Sequence, residues 1–291
     1  MPDLKVIAAL DGSALSEASL RYIPLLRALG NLDVMLVGIV ETYRESEGLR
    51  GAEAHIQREL NLLEAYLDKT VADLGAKLGA TVRKKIRTGV PADEIVEIAR
   101  EEEADLLVLT THGRSGIGRW AIGSVADKVL HTSDRNILVI GPQAAGRDTV
   151  PPFRQIMVPL DGSGLAEGAL PVALTWAAAF AARLHLVRVV PLPIVSGETI
   201  ALGPDLFDAM REAAEGYLSE LKERIGVPDA VTAVPVGPIA EQLGVYEQEN
   251  AIDLAIMTSH GRGGLLRSVL GSVTDRMLHG PAPVLVVRAR A

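Results

Sequence analysis

The sequence of this chain repeats itself, and the repeat constrains its fold more than any other feature. The segment TTHGR at residues 110–114 is matched by TSHGR at residues 258–262. In each copy nine residues separate the glycine from a second motif, GSV, at residues 123–125 and 271–273. The repetition predicts two domains of similar structure, each large enough to bury its own core.

A second pair of matching segments lies upstream and helps to place the domain boundaries. Asp11-Gly12-Ser13 and Asp161-Gly162-Ser163 each follow a short apolar run. Between the repeats, a stretch of glycine, proline and small polar residues is typical of a linker. We therefore predict a first domain at residues 1–143, a linker at 144–151 and a second domain at 152–291.

Within each repeat, short runs of β-branched residues alternate with helical patterns. Apolar runs such as Leu106–Leu109 do not alternate with polar residues, which indicates strands buried on both faces of a parallel sheet. The pattern predicts two tandem doubly wound α/β domains. In the first repeat we expect strands near 4–10, 32–40, 82–88, 105–110 and 136–140, and helices near 15–29, 52–79, 91–103 and 124–132.

Composition excludes several functional classes. The net charge of −8 argues against sequence-independent binding of nucleic acid, which needs a basic face. The absence of cysteine excludes disulfides, thiol catalysis and cysteine-bound zinc. Because we find neither a signal peptide nor a membrane-spanning stretch, we expect a soluble cytoplasmic protein that does not bind membranes.

The two repeated motifs are expected to meet at the carboxyl ends of the strands, where doubly wound sheets bind their ligands. Ser124 and Ser272 each open a predicted helix and are followed by an acid three residues later, a pattern typical of a capping box. The same helix starts could instead bind a phosphate, since their N–H groups point outward and the helix dipole favours anions. Finding the glycine loop before both helices favours phosphate binding.

Other repeated residues allow two interpretations each. Arg114 and Arg262 could be solvated loop arginines or could neutralise a polyphosphate. Asp11 and Asp161 could be turn residues, or could accept hydrogen bonds from a ribose or a base. His112 and His260 have no nucleophile partner in the sequence, which favours a structural role. We assign no catalytic residue, and the sequence identifies no metal ligands.

These motifs, in this order and found twice, resemble those of the universal stress protein family in its tandem two-domain form. The family pattern is G-x-x-G, nine residues, then G-[ST]. Thr110 and Thr258 stand at its first glycine. The remaining positions are present in both repeats, as Gly113, Gly123 and Ser124 and as Gly261, Gly271 and Ser272.

The resemblance implies a fold and a ligand. Each domain would be a five-stranded parallel sheet with helices on both faces, of the adenine nucleotide alpha hydrolase-like kind. Each would bind ATP, with Mg²⁺ or Mn²⁺. The adenosine end would lie against Asp11 or Asp161, and Ile39 and Val189, in the second strands, would line the adenine pocket. The phosphates would be held by the loops and helix starts: Gly113, Arg114, Gly123, Ser124 and Val125, and Gly261, Arg262, Gly271, Ser272 and Val273.

The resemblance also implies a mode of assembly and three candidate functions. The last strands, at 136–140 and 283–287, could pair within one chain as a pseudo-dimer, and two chains could form a homodimer. The leading hypothesis is an ATP-binding stress-response regulator with up to two nucleotide sites and no robust catalysis. The alternatives are a slow ATPase or autophosphorylating enzyme, and an interaction module that binds no nucleotide.

Overall fold

A computed structural model of the chain describes residues 3–42, 52–111, 122–191, 194–195, 198–199, 204–258 and 272–288. The chain divides into two compact units, residues 1–150 and residues 151–291. The division between residues 150 and 151 falls inside the stretch that the sequence predicts to be a linker. Each unit is described by itself below.

Unit 1 alternates strands with helices, as the apolar periodicities predict. Its elements are β1 (Leu4–Ala9), α1 (Ala14–Ala18), two 3-10 helices (Ser19–Arg21 and Ile23–Leu29), β2 (Leu32–Glu41), α2 (Ala52–Leu78), β3 (Val82–Gly89), α3 (Pro91–Glu101), β4 (Leu106–Thr110), α4 (Ser124–Thr132), β5 (Asn136–Ile140) and α5 (Pro142–Ala145).

Unit 2 repeats this order and adds a small hairpin after its second strand. Its elements are β6 (Gln155–Pro159), α6 (Gly164–Glu167), α7 (Leu170–Phe180), β7 (Arg183–Val187), β8 (Ile194–Val195), β9 (Glu198–Thr199), α8 (Pro204–Arg224), β10 (Val231–Ala233), α9 (Ile239–Glu249), β11 (Leu254–Thr258), α10 (Ser272–Leu278) and β12 (Val284–Val287). The hairpin of β8 and β9 is antiparallel.

Apart from β8 and β9, the described strands of each unit form one parallel sheet, and the strand order is the same in both. In unit 1 the order is β3-β2-β1-β4-β5, and in unit 2 it is β10-β7-β6-β11-β12. Every pairing within these two sheets is parallel. The prediction of two tandem doubly wound α/β domains is therefore confirmed.

The central strands form the core because they have no polar face. All five residues of β4 and all five of β11 are buried. Burying a leucine or valine side chain stabilises the folded state by about 1.5–3 kcal/mol, so these runs hold each sheet between its helices. In unit 2 an aromatic cluster adds to the core, with the rings of Phe153 and Phe180 5.1 Å apart and Trp176 beside them.

The predicted single helix at residues 15–29 is wrong. The chain instead forms α1 and then two 3-10 helices, and the break lies next to Pro24. Proline has no N–H to donate, and its ring clashes with the carbonyl one turn earlier, so an α-helix cannot continue through that position. The other predicted strands and helices of the first repeat agree with the structure to within two residues.

The short helix α5 is fixed to unit 1. The Tyr22 hydroxyl donates to the Ala144 carbonyl at 3.1 Å, and the Arg21 guanidinium donates to the carbonyls of Ala145, at 2.6 Å, and Arg147. The first part of the predicted linker is therefore ordered against α1 and the 3-10 segment. No helix within the described ranges is long and apolar enough to cross a membrane.

A buried histidine links two strands and a helix of unit 2. The Nε2 atom of His185 lies 2.8 Å from the amide oxygen of Gln155, and Nδ1 lies 2.9 Å from the Tyr246 hydroxyl. Because the amide oxygen only accepts, Nε2 carries the proton and Nδ1 accepts from Tyr246. Burial, with a smaller effect of the nearby Arg183 cation, lowers the pKa of His185.

We predict that unit 2 loses stability as the pH falls from about 7 to 5. An unfolded histidine binds a proton near pH 6.5, whereas the folded His185 binds it only at lower pH, so acid favours the unfolded state. Urea unfolding at several pH values, followed by Trp176 fluorescence in a Trp120→Phe background, measures this. In His185→Gln the free energy of unfolding should depend less on pH. Equal pH dependence in the variant and its parent would show that His185 does not cause the loss of stability.

Candidate functional site

The Asp-Gly-Ser turn after the first strand has the same geometry in both units. In unit 1 the Oδ1 atom of Asp11 accepts from the Ser13 amide at 3.0 Å and from its hydroxyl at 2.6 Å. The glycine between them has φ of +81°, which a side chain would strain. The Ser13 Oγ then accepts from the Ser16 amide and caps α1. The carboxylate is thus held at the carboxyl end of β1.

Helix α4 starts without such a cap. Its N-cap residue is Gly123, and no described side chain makes a capping hydrogen bond. Ser124 is the first helical residue and is exposed, so the alternative interpretation of Ser124 as the cap of this helix is wrong in this unit. Gly123 donates to the Thr111 carbonyl at 2.6 Å, which fixes the helix start beside the end of β4. No described side chain therefore caps the first-turn N–H groups of α4, where the helix dipole favours an anion.

The Asp11 turn and the α4 start line the same cavity. Its volume is about 740 Å³, within the range of roughly 300–1,000 Å³ found for small-molecule pockets. The predicted site residues in its wall are Asp11, Ile39, Gly123, Ser124 and Val125. Asp11 and Ile39 come from the ends of β1 and β2, and the other three from the start of α4. The cavity therefore has an apolar wall, a carboxylate and a helix N-terminus.

The start of α2 contributes a wall that the sequence analysis missed. His55, Ile56, Glu59 and Leu63 line the cavity together with Glu41 from the end of β2. Their spacing along the chain places the four α2 residues on one helix face, but that pattern alone does not show what the face covers. The remaining wall residues are Ala9, Leu10, Ser16, Val37, Val40, Pro91, Ile95, Leu109, Thr110, Thr111 and Ala126.

Comparison with known proteins identifies the family of the chain. The model of the universal stress protein family matches residues 4–141 and again residues 152–288. The chain belongs to the universal stress protein family. It is 27% identical to a universal stress protein of Mycobacterium tuberculosis strain H37Rv, over 97% of this chain and 96% of the relative. A relative in Mycolicibacterium smegmatis is also 27% identical, over 98% and 97% of the two chains.

A solved structure agrees with the tandem fold. The crystal structure of a universal stress protein from Archaeoglobus fulgidus superposes with a TM-score of 0.75 and covers 100% of both chains. The sequences are 19% identical, so this likeness concerns the fold. Two universal stress protein domains in one chain are what the repeated motifs predict.

The second universal stress protein domain keeps the turn but not the surroundings of the first. Asp161 Oδ1 accepts from the Ser163 amide at 2.9 Å and from its hydroxyl at 2.6 Å. Val189, however, does not lie in the second strand, because β7 ends at Val187. The segment that follows β10 contains Pro235, which has no N–H to donate. Beyond Val187, the pairing of this segment with the segment after β7 is reduced to a single bridge from Val190 to Val236.

Of the remaining predicted site residues, two lie at the start of α10 and five lie outside the described ranges. Val273 lies half-buried in the first turn of α10, and Ser272 is the first residue of that helix. Five predicted residues lie outside the described ranges, namely Gly113, Arg114, Gly261, Arg262 and Gly271. Their roles in binding phosphate stay predictions.

A cation lies beside the Asp161 turn in unit 2. The Cζ atom of Arg188 lies 4.8 Å from the centroid of the Tyr217 ring. The Tyr217 hydroxyl donates to Glu167 Oε1 at 3.0 Å, and Arg224 donates to Oε2 at 2.6 Å. Burial first, and then the bond to Glu167, raise the pKa of Tyr217, so its hydroxyl stays a neutral donor.

We predict that Ser13→Ala lowers the free energy of unfolding of unit 1 by about 1 kcal/mol, since it removes the cap of α1 and the anchor of Asp11. Ser124→Ala is the matched control. Because Ser124 is the first helical residue and not the cap, its change should stay within about 0.5 kcal/mol. Urea unfolding followed by circular dichroism measures both. If Ser124→Ala lowered the free energy of unfolding by about 1 kcal/mol, Ser124 would be the cap of α4 after all.

Proposed function

We propose that this universal stress protein binds ATP in the cavity of unit 1 and acts as a nucleotide-responsive regulator of the stress response. The observation that carries the proposal is that one cavity joins Asp11, Ile39 and the start of α4. These are the groups expected for ribose, base and phosphate respectively. Occupancy by the nucleotide would bias the conformation of the protein or its binding of a partner.

Each part of the nucleotide finds a suitable group in the cavity wall. Ile39 and Leu63 offer apolar surface for a base, and the Asp11 carboxylate can accept from ribose hydroxyls. The first turn of α4 offers N–H donors and the positive end of the helix dipole to a phosphate. The placement of these groups at separate ends of one cavity supports a nucleotide rather than a free phosphate or a free nucleoside.

A divalent ion would arrive with the nucleotide in this proposal. Among the described residues, no group of three or more His, Asp or Glu side chains could hold a metal ion. The phosphates of ATP would therefore supply most ligands of Mg²⁺ or Mn²⁺. The cytoplasmic location, the pairing of the two last strands and a homodimer of chains also stay predictions.

We predict that Asp11→Ala and Gly123→Val each weaken ATP binding by unit 1 tenfold or more. The first change removes an ionised acceptor, and hydrogen bonds to charged groups contribute about 1.5–3 kcal/mol. The second places a branched side chain at the helix start where the phosphates are expected. Gly123 has φ of −61° and ψ of 144°, so valine fits its backbone and the variant should fold.

Titration calorimetry with ATP and Mg²⁺ measures this effect on the full chain. Asp134→Ala is the control, because Asp134 is an exposed acid that pairs with Arg135 and does not line the cavity. Wild-type protein that stays folded and binds no ATP at millimolar concentration would refute the proposal. That result would favour the interaction module that binds no nucleotide.

Slow hydrolysis of ATP is the second candidate function, and the part of the cavity wall formed by the start of α2 favours it. His55 and Glu59 line the cavity that would hold the nucleotide, and either could accept a proton from water.

We predict that any turnover of ATP falls at least tenfold in His55→Ala or Glu59→Gln while ATP still binds. A phosphate-release assay measures it, and turnover unchanged in both variants would point to a contaminating enzyme. Autophosphorylation would instead label the protein with the γ-phosphate.

A further inference from the structure

Unit 2 carries an arginine where unit 1 has a glycine. The Leu10 amide donates to the Val37 carbonyl at 2.8 Å, and the Leu160 amide donates to the Val187 carbonyl at the same distance. Val37 and Val187 are therefore equivalent, and so are the residues that follow them, Gly38 and Arg188. These two positions flank the Asp-Gly-Ser turns of their units.

The side chain of Arg188 lies directly against the turn that carries Asp161. A methyl group added to Gly162 would lie 3.1 Å from Nη1, 3.2 Å from Cζ and 3.3 Å from Nη2 of Arg188. The guanidinium is held there by the face of Tyr217, and Tyr217 is oriented by its bond to Glu167. A cation on an aromatic face gains about 0.5–2 kcal/mol, so this position is stabilised.

In unit 1, Leu63 occupies the space that an equivalent side chain would need. A Cβ atom added to Gly38 would lie 2.9 Å from both Cδ atoms of Leu63. Leu63 is buried and lines the cavity of unit 1. The glycine thus lets an apolar side chain form the wall next to the Asp11 turn, whereas unit 2 has a guanidinium next to its turn.

We propose that Arg188 makes unit 2 the weaker nucleotide site, so that one chain binds one nucleotide tightly, in unit 1. This inference rests on the proposed function. A nucleoside approaching Asp161 must displace the guanidinium from Gly162 and from the Tyr217 ring. Pairing of Arg188 with phosphates is not expected to offset this loss, since the phosphates are expected at the α10 end of the site.

Titration calorimetry with ATP and Mg²⁺ on the full chain tests the proposal. Wild type should show one tight site and a second site at least tenfold weaker. Asp11→Ala should weaken the tight site at least tenfold, whereas Asp161→Ala should leave it unchanged. In the Asp11→Ala background, Arg188→Gly and Arg188→Ala should each strengthen the remaining site at least tenfold.

Arg224→Ala is the matched control for loss of an arginine. Arg224 bonds to the same Glu167, is 61% exposed and lies outside the contact with Gly162, so its removal should leave both affinities unchanged. The fluorescence of Trp176 during thermal unfolding, in a Trp120→Phe background, shows whether unit 2 of each variant is folded.

Three results would overturn the inference while leaving the proposed function intact. These are two wild-type sites of equal affinity, folded Arg188 variants with unchanged binding, and folded Arg188 variants that bind ATP more weakly. The last would show that the guanidinium contacts the ligand. Absence of binding to both units would refute the proposed function and this inference with it.

Discussion

Both units depend on a single constraint, which is that the first strand lies inside a parallel sheet. β1 pairs with β2 on one side and with β4 on the other, and β6 pairs in the same way with β7 and β11. Right-handed crossovers send the chain from β1 and β4 to opposite faces of the sheet. The carboxyl ends of these two strands therefore part and form a crevice, and the cavity of unit 1 lies there.

Two helix starts border this crevice, and they differ in how their N–H groups are satisfied. The start of α1 uses the Ser13 side chain, which is itself fixed by Asp11. The start of α4 has a glycine at the same position and no described side chain as a cap. A glycine at this position costs only a few tenths of a kcal/mol relative to serine, and a bound anion would return it. Binding of an anion at this helix start would therefore be coupled to the stability of α4 through the same N–H groups.

The sequence predicts the strands and helices better than it predicts which residues line the cavity. Runs such as Leu106–Leu109 indicate buried parallel strands because nothing polar interrupts them. The broken helix next to Pro24 could have been foreseen from that proline, since it forbids an α-helix through its position. The presence of the α2 start in the cavity wall could not be foreseen, because His55 and Glu59 reach that wall through packing that the local pattern does not specify. The early end of β7 likewise depends on Pro235, which belongs to the neighbouring chain segment.

Comparison of the two repeats shows which features the Asp-Gly-Ser motif determines and which the adjacent strand determines. The two Asp-Gly-Ser turns agree within 0.1 Å in their serine-to-aspartate hydrogen bonds, since the same three residues impose them. The space beside each turn is set by a residue on the adjacent strand, which is glycine in unit 1 and arginine in unit 2. A repeated motif therefore implies a repeated backbone, but equal binding needs equal residues on the neighbouring strand. Those residues have diverged in this chain, so the two units are alike in fold but differ in the side chains beside the turn.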